Sequence, residues 1–292
     1  MNKQDKSNLG WGIRWPAPAK LNLMLRIVGQ REDGYHLLQT VFQIIDISDG
    51  LVFSQVSDGR VCLKNTIPGV REEDDLTVRA ANILKQETGY QGGVCIDVEK
   101  NLPMGGGLGG GSSDAATVLV VLNKLWGLAL SETRLMELGL ALGADVPVFV
   151  QGKSTWAEGV GEKLIPIDLP KAWYVVLKPQ CHVDTGEIFS AKGLTRDSKS
   201  IKIPDFNSGQ VQNDCLSVVE KLHTEVRQGL DVLSKYGAAR LTGTGACVFV
   251  QFDQQQEARN AYSELVSANE AYIAEGLALS PLHKQMSEIF NI

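Results

Sequence analysis

The stretch Gly105-Gly106-Gly107-Leu108-Gly109-Gly110-Gly111 places six glycines in seven positions, and Ser112-Ser113-Asp114 follow it directly. It stands between residues 94–99, which alternate like a strand, and residues 112–126, which carry the strongest helical pattern of the chain. A strand, a glycine loop and a helix N-terminus together can bind phosphate, because bare backbone N–H groups and the helix dipole attract an anion. The other interpretation, a flexible linker, does not explain a loop that joins a strand directly to a long apolar helix.

Three known phosphate-loop patterns fit this stretch only in part. Gly105, Gly107 and Gly110 satisfy the G-x-G-x-x-G spacing of dinucleotide-binding domains, but a run of glycines meets that spacing almost automatically. Such a site also needs an acidic residue about 20 positions later at the end of a strand, whereas Glu132 opens a predicted helix. The Walker A pattern lacks its lysine, since Gly111 occupies that position. The H-R-D and D-F-G elements of protein kinases do not occur in the sequence.

The composition is that of a globular protein with a surplus of glycine. Hydrophobic residues make up 43% and charged residues 21% of the 292 residues. Glycine contributes 30 residues, roughly 10% against a usual value of about 7%. The net charge of −6, from 28 basic and 34 acidic residues, argues against a nucleic-acid partner, which would need clustered lysine and arginine. A local site for one small phosphorylated ligand remains compatible with this charge.

The remaining sequence signals predict a cytoplasmic protein without a membrane partner. Apolar runs such as residues 118–122 are far shorter than the roughly 18 residues of a membrane span. The start, MNKQDKSNLG, lacks the apolar core of a signal peptide. The five cysteines are widely spaced and contain no C-x-x-C pair, so we expect reduced thiols rather than disulfides or a zinc site. The four histidines show no metal-ligand spacing either.

The pattern of elements predicts an α+β fold with two domains, residues 1–165 and residues 166–292. The boundary is placed where the stretch LIPIDLPKA, residues 164–172, carries two prolines ahead of a new strand. Ser131 is expected to cap a helix that Gly143 ends, and Gly89 to end an earlier one. Predicted strands are residues 19–28, 35–46, 51–53, 61–63, 94–99, 173–177 and 246–252; predicted helices are residues 75–88, 112–126 and 132–142.

Together with the residues before it, the glycine stretch resembles the P-x-x-x-G-L-G-S-S-A-type loop of GHMP small-molecule kinases. Four other segments match the same family in the same order: PAKLNL (residues 18–23), DGYH (33–36) with Thr40 and Phe42, LGADVPVF (142–149) and LTGTGACVF (241–249). They run from about residue 15 to 285. The segment containing Tyr35-His36 is similar to one branch of the family, whose acceptor substrate carries a cytidine diphosphate group.

This resemblance implies the two-domain GHMP kinase fold. Its N-terminal domain is ribosomal-protein-S5-domain-2-like and binds ATP, and its C-terminal domain is ferredoxin-like α/β. The residues implied to bind ATP are Pro103, Met104, Gly105, Gly106, Gly107, Leu108, Gly109, Gly110, Gly111, Ser112 and Ser113. One of the two serines is expected to cap the helix and the other to contact phosphate or Mg²⁺.

The resemblance further implies that Asp145 is the general base and Lys20 its catalytic partner. From the residues alone, Asp145 would be taken for a helix N-cap, because it precedes Val146-Pro147. Lys20 would be taken for a lysine on the solvated face of a strand. A kinase needs a carboxylate near the acceptor hydroxyl and a cation near the developing negative charge, which gives both residues a chemical reason.

The acceptor substrate is implied to contact Asn22, Tyr35, His36, Thr185 and Phe189. Asn22 lies two residues after Lys20 and therefore on the same face of the predicted strand. Aromatic side chains can stack on a base, and an imidazole can bond to its polar edge. Phe42 is as compatible with the core as with the site. Thr242, Gly243, Thr244 and Gly245 are either a plain tight turn or a loop that closes over the active site.

The function implied is transfer of the γ-phosphoryl group of ATP to a hydroxyl of a small-molecule substrate, with Mg²⁺ expected to accompany ATP. Within the same fold, a homoserine, mevalonate or galactose acceptor is the alternative. A non-catalytic or NAD-binding protein is a more distant alternative, since the acidic partner residue is missing. The protein is expected to be a monomer or a homodimer.

Overall fold

The computed structural model of this protein describes residues 9–291, so the polar start of the sequence, residues 1–8, lies outside the described residues. Strands and helices follow one another in short runs along the chain. The strands are β1 (Arg14–Gln30), β2 (His36–Val56), β3 (Val61–Leu63), β4 (Gly93–Glu99), β5 (Thr155–Gly159), β6 (Lys163–Pro166), β7 (Trp173–Leu177), β8 (Arg240–Leu241), β9 (Val248–Phe252) and β10 (Ala271–Leu277).

The helices are mostly short, and a 3₁₀ turn at Glu72–Asp74 precedes the first. They are α1 (Leu76–Thr88), α2 (Gly110–Leu125), α3 (Glu132–Leu142), α4 (Val146–Gln151), α5 (Thr185–Ser190), α6 (Ile203–Asn207), α7 (Leu216–Leu222), α8 (Thr224–Leu233), α9 (Gln255–Leu265) and α10 (Pro281–Phe290). Within residues 9–291, no helix is long and apolar enough to cross a membrane.

The 21-residue strand β2 organises the sheet of the N-terminal half. It runs antiparallel to β1 over almost its whole length, and it pairs with β5 near its start and with β4 near its end. Leu51–Phe53, which the sequence predicted as a separate strand, is the last part of β2. Strand β1 is buried without interruption from Ala17 to Arg26, as expected for a strand covered on both faces.

The C-terminal half forms an antiparallel sheet with the order β10-β7-β9-β8. This places the fourth, first, third and second strands of the unit side by side, which is the ferredoxin-like order that the family resemblance implied. Helices α8 and α9 cover one face with apolar residues such as Leu230, Leu233 and Ala258, which pack on Val175 and Val250 of the sheet.

The two halves share both a sheet and a core. Gly276 and Leu277 of β10 pair with Ile45 and Ile44 of β2, so the sheets are continuous. Beyond β10, the chain returns to the N-terminal half, where α10 buries Leu282 and Met286 in the core beneath β1. The boundary between residues 165 and 166 stays a prediction, and α10 packs with the elements that precede it.

Helix ends follow the sequence signals in three cases and depart from them in one. Gly89 ends α1 in the left-handed conformation. The hydroxyl of Ser131 accepts the N–H of Arg134 to cap α3, and Gly143 is the C-cap of the same helix. Helix α2, however, begins at Gly110, and its N-cap is Gly109. The prediction that Ser112 or Ser113 caps α2 is therefore wrong, because the glycine run continues directly into the first helical turn.

His283 of α10 predicts a dependence of stability on pH. Its Nε2–H donates to the carbonyl of Val150 at 2.9 Å, and its Nδ1 atom is buried without a partner. Burial lowers the pKa of His283 below its ordinary value. The unfolded chain therefore binds a proton at this residue before the folded chain does, so stability falls as the pH drops below about 6.5.

We expect His283→Gln, which retains a side-chain N–H donor but does not titrate, to lose less stability than the wild type between about pH 7.5 and about pH 5. A difference of up to about 1.4 kcal/mol per unit of pKa shift is anticipated. Urea unfolding at the two pH values measures it. Equal pH dependence of the two proteins would refute the assignment.

Candidate active site

The ammonium group of Lys20 lies at the centre of the site and is surrounded by oxygen atoms. Lys20 is 2% exposed on β1, because its strand is covered on both faces. Its Nζ donates to Asn22 Oδ1 at 2.6 Å and to the carbonyl of Gly107 at 3.0 Å, and it lies 3.2 Å from Asp145 Oδ2. The ring of Phe42 lies 5.4 Å from the same nitrogen. Lys20 is therefore not a surface lysine.

Asp145 occupies the N-cap position of α4, but its side chain makes no capping hydrogen bond. The carboxylate instead contacts Lys20 and remains 36% exposed. The local sequence thus explains where the backbone of Asp145 sits, while the contact with Lys20 explains where its side chain lies. A half-buried carboxylate that is held by a lysine and open to a cavity can accept a proton from a bound hydroxyl group.

The carbonyl groups of residues 105–108, the first part of the glycine loop, all accept hydrogen bonds from other segments of the protein. The oxygen of Gly105 accepts the N–H of Ala246, and that of Gly106 accepts the N–H of Cys247. The oxygen of Gly107 accepts from the side chain of Lys20, and that of Leu108 accepts the N–H of the same lysine.

The direction of these carbonyls matters for anion binding. With four consecutive carbonyls turned inward, a bound anion meets N–H groups rather than carbonyl oxygens. The first N–H groups of α2 also have no partner within the helix. The loop and the start of α2 can thus hold phosphate without a lysine in the Walker position.

Gly107 and Gly109 show why this loop needs glycine. Gly107 has φ = +74°, and a Cβ atom there would lie 2.5 Å from the carbonyl oxygen of Thr242. Gly109 has φ = +77°, and a Cβ atom there would lie 2.8 Å from the ring of Phe149. The glycine run therefore allows two backbone segments, residues 105–107 and residues 242–247, to touch directly.

A chain of hydrogen bonds links the C-terminal turn to the strand that carries Lys20. Thr242 Oγ1 accepts the backbone N–H of Asn22 at 3.0 Å. The amide of Asn22 donates to Thr40 Oγ1 at 2.8 Å, and that hydroxyl donates to the carbonyl of Met24. Asn22 is thereby fixed with its Oδ1 toward Lys20, as expected for residues on one face of a strand.

A cavity of about 860 Å³ opens in front of Lys20 and Asp145, between the two halves of the chain. It brings together eleven of the residues that the sequence singled out. These are Lys20, Asn22, Tyr35, His36, Gly107, Ser112, Asp145, Thr185, Phe189, Gly243 and Thr244.

The other residues that the sequence singled out do not line this cavity. Met104 is 57% exposed on the outer side of the loop, and Leu108 is buried in the apolar core as an anchor. Ser113 is buried too, and its hydroxyl has no partner, whereas Ser112 faces the cavity. The members of this group are Pro103, Met104, Gly105, Gly106, Leu108, Gly109, Gly110, Gly111, Ser113, Thr242 and Gly245.

One end of the cavity has an aromatic wall. The rings of His36 and Phe189 stack at 5.0 Å with an angle of 24° between their planes, and Tyr35 beside them is 63% exposed. Burial and the nearby charge of Arg196 lower the pKa of His36 below its ordinary value. Thr185 reaches across to Thr244 at 3.0 Å between their hydroxyl oxygens. A flat heterocycle fits such a wall.

Sequence reasoning did not assign a site role to Thr40 or Arg196, both of which line the cavity. The sequence could have pointed to Thr40, because it lies two residues before Phe42, and therefore on the same face of the strand that pairs with the strand of Lys20. Phe42 is both core and cavity wall, being 2% exposed and under the ammonium of Lys20. Arg196 lies in an irregular segment without periodicity, so nothing in the sequence pattern distinguishes it from a surface arginine.

A group of charges lies below the start of α2. Lys100 Nζ contacts Asp49 and lies 2.7 Å from Asp114. Asp49 also accepts the backbone N–H groups of Asn101 and Leu102 at 2.6 Å and 2.7 Å. Asp114 has a second oxygen without a partner, and burial raises its pKa to about 7. This group fastens the strand before the glycine loop to the helix after it.

Two family patterns match the chain. The family described as GHMP kinases N terminal domain matches residues 75–153, and the family described as GHMP kinases C terminal matches residues 194–271. The glycine loop and Asp145 lie in the first segment, and Arg196 and the turn at residues 242–245 lie in the second.

Curated relatives align over nearly the whole chain. The 4-diphosphocytidyl-2-C-methyl-D-erythritol kinase of Alkalilimnicola ehrlichii is 51% identical over 274 residues, with 94% of each chain covered. The protein of the same name from Methylococcus capsulatus is 52% identical over 277 residues, covering 94% of this chain and 95% of its own.

Solved structures show the same relationship. The crystal structure of a 4-(cytidine 5'-diphospho)-2C-methyl-D-erythritol kinase superimposes with a TM-score of 0.78 at 32% identity, covering 91% of this chain and all of the other. The mevalonate kinase of Methanococcus jannaschii superimposes with a TM-score of 0.66 at 15% identity, covering 92% of this chain and 99% of its own. At that identity the likeness concerns the fold alone.

The close approach at Gly107 predicts that its substitution is costly. In Gly107→Ala, the left-handed backbone conformation and the clash with the Thr242 carbonyl together should reduce stability by about 2–4 kcal/mol. The matched control is Gly111→Ala, because a Cβ atom at Gly111 meets nothing nearer than Leu76 at 3.6 Å. Urea unfolding compares them. If Gly107→Ala is as stable as Gly111→Ala, the contact between the two segments does not constrain the fold.

Proposed function

The chain belongs to the GHMP kinase family, within the branch of the 4-diphosphocytidyl-2-C-methyl-D-erythritol kinases. We propose that it catalyses the reaction for which these relatives are named. The reaction is transfer of the γ-phosphoryl group of ATP to the 2-hydroxyl of 4-diphosphocytidyl-2-C-methyl-D-erythritol, giving the 2-phosphate and ADP in the non-mevalonate isoprenoid precursor pathway. The observation that supports it best is the contact between Lys20 and Asp145, 3.2 Å apart at the cavity wall beside the glycine loop.

Asp145 is proposed to be the general base. Its free carboxylate oxygen and its exposed fraction allow it to take the proton of the acceptor hydroxyl while the oxygen of that hydroxyl attacks phosphorus. A tertiary hydroxyl is a crowded nucleophile, so its orientation matters as much as its proton. The contact with Lys20 holds the carboxylate in one place and balances its charge.

Lys20 and the glycine loop are proposed to stabilise the negative charge of the transferring phosphoryl group. Lys20 cannot move far, because Asn22 and the carbonyl of Gly107 hold two of its N–H groups. A cation that is already positioned needs no reorganisation during the reaction. The inward carbonyls of the loop leave N–H groups for the phosphates of ATP, and we propose that the eleven residues from Pro103 to Ser113 form this side of the ATP site.

Mg²⁺ fits this site as a companion of ATP. The described part of the chain contains no cluster of three or more histidine, cysteine or acidic side chains. Mg²⁺ commonly takes one or two protein oxygens together with phosphate oxygens and water. Ser112 lines the cavity, and its hydroxyl would supply one such oxygen. When bound, the ion would neutralise charge on the phosphates.

The aromatic wall supports a cytidine-containing acceptor over a homoserine, mevalonate or galactose acceptor. Tyr35, His36 and Phe189 lie at the end of the cavity away from Lys20, together with Thr185. None of the smaller acceptors has a flat ring for such a wall. Asn22 is fixed close to Lys20 and suits the sugar-alcohol part. A small-molecule substrate, a cytoplasmic location and a monomeric or homodimeric state are part of this proposal.

Replacing the base tests the mechanism. We expect Asp145→Asn to lower kcat by about 10²–10⁴-fold, because the amide keeps the shape and loses the proton acceptor. A coupled assay of ADP release measures it. Asp168→Asn is the matched control, since Asp168 is exposed between β6 and β7. Full activity in Asp145→Asn would exclude this residue as the base, and an inactive wild type would exclude the substrate.

Competition by a free nucleotide tests the aromatic wall. CMP should inhibit competitively against the acceptor substrate, while AMP at the same concentration should not compete with that substrate. Phe189→Leu should weaken the inhibition by CMP about tenfold, since stacking on one ring contributes about 1–3 kcal/mol. Indifference to CMP, together with faster phosphorylation of mevalonate or homoserine, would favour another acceptor.

A further inference from the structure

Arg196 forms an unusual set of contacts at the aromatic end of the cavity. Its Nε donates to His36 Nε2 at 3.1 Å. Its Nη2 donates to the carbonyls of Phe189 and Ala191 at 2.9 Å and 3.0 Å, and its Nη1 donates to the carbonyl of Leu194 at 3.2 Å. The planar guanidinium thereby binds the end of α5 and the first residue of β2 at once, which a lysine could not do.

The contact with Arg196 determines which nitrogen of His36 carries a proton. Because an arginine only donates, His36 Nε2 must accept, and a neutral imidazole then carries its proton on Nδ1. Protonation of Nε2 would remove this acceptor and place two positive groups side by side. Burial and the Arg196 charge act in the same direction, and both lower the pKa of His36. The ring is therefore held neutral, with one nitrogen left as a donor.

The charge of Arg196 is not used in an ion pair. Across residues 9–291, no carboxylate lies within salt-bridge distance of its guanidinium, whereas exposed arginines such as Arg31 pair with nearby acids. Asp33 and Tyr35 line the same end of the cavity, on the turn before β2. Four hydrogen bonds to neutral acceptors indicate a role in geometry rather than in charge balance.

The two walls of the aromatic end come from different halves of the chain. His36 begins β2 in the N-terminal half, and Phe189 lies on α5 in the C-terminal half. Arg196 joins them with side-chain bonds to both, and the two rings stack as a result. The shape of this end of the cavity therefore depends on Arg196, which lines it together with both rings.

We propose that Arg196 is a positioning residue that fixes the imidazole of His36 as an Nδ1 hydrogen-bond donor in the wall of the base pocket. A pyrimidine that offers acceptor atoms along its edge, as cytosine does with N3 and O2, is the ligand class that such a donor favours. Uracil carries a hydrogen on N3 and is disfavoured. The identity of the ligand rests on the proposed function, whereas the state of His36 does not.

Nuclear magnetic resonance of the unliganded protein tests the state of His36 directly. Long-range ¹H–¹⁵N spectra distinguish the tautomers, and His36→Gln identifies the signals among four histidines. In the wild type we expect the Nδ1–H tautomer and a titration below about pH 6.5. In Arg196→Gln we expect mixed tautomers and a titration that moves up toward that value. An Nε2–H tautomer in the wild type, or an unchanged titration in the variant, overturns the proposal.

An internal reference shows whether Arg196→Gln has kept its fold. The His283 signals arise from α10, far from the cavity end, and should be unchanged. If they are lost, Arg196→Lys replaces Arg196→Gln in the same measurement, since it keeps the positive charge and loses the planar arrangement of N–H donors. In Arg196→Lys we expect the pKa of His36 to stay low, and we expect both tautomers of its imidazole to be populated.

Kinetics then connect the geometry to substrate binding. Arg196→Gln should raise KM for the acceptor about tenfold, as for the loss of one well-placed hydrogen bond, with kcat and KM for ATP within about twofold. Arg60→Gln is the matched control, because Arg60 is exposed and pairs only with Asp58. A tenfold fall in kcat with an unchanged KM for the acceptor would contradict a positioning role. An inactive wild type would count against the proposed function and leave the spectroscopic result standing.

Discussion

A buried positive charge is the constraint around which this molecule is arranged. An ammonium group removed from water is costly unless oxygen atoms surround it. Lys20 obtains those oxygens from three separate places: its own strand through Asn22, the glycine loop through Gly107, and the start of α4 through Asp145. These elements are distant in sequence, so satisfying one charge fixes their relative positions. The same arrangement leaves a carboxylate and a cation side by side at a cavity wall.

The glycines of residues 105–111 allow close packing of the loop rather than making it flexible. Gly107 and Gly109 make close backbone contacts possible, and the loop they belong to is bound on its carbonyl side by Ala246, Cys247 and Lys20. A loop held in this way has little freedom. Its carbonyls are bonded within the protein, which leaves N–H groups for the phosphates in the ATP site that we propose. The C-terminal turn at residues 242–247 supports the loop on its carbonyl side.

Much of this could be predicted from the sequence where a local rule applies. Alternation placed Lys20 and Asn22 on one strand face, and Gly89 and Ser131 marked helix ends through backbone conformation and capping. The ferredoxin-like order of the C-terminal sheet came from the family resemblance. The capping rule failed at Ser112 and Ser113, because the N-cap of α2 is Gly109. Local rules also could not find Arg196, since its partners lie up to 160 residues away in the chain and its own segment has no periodicity.

The return of α10 to the N-terminal core has a consequence for how the protein is made. Phe290 of α10 stacks on Trp15 of β1 with 6.1 Å between the ring centroids, and Leu282 and Met286 of the same helix are buried in that core. During synthesis the first half emerges from the ribosome long before this helix does. The core residues that α10 covers lack this cover until the residues of the C-terminal sheet have been translated. A helix that follows the C-terminal sheet in the sequence thus completes the core of the N-terminal half.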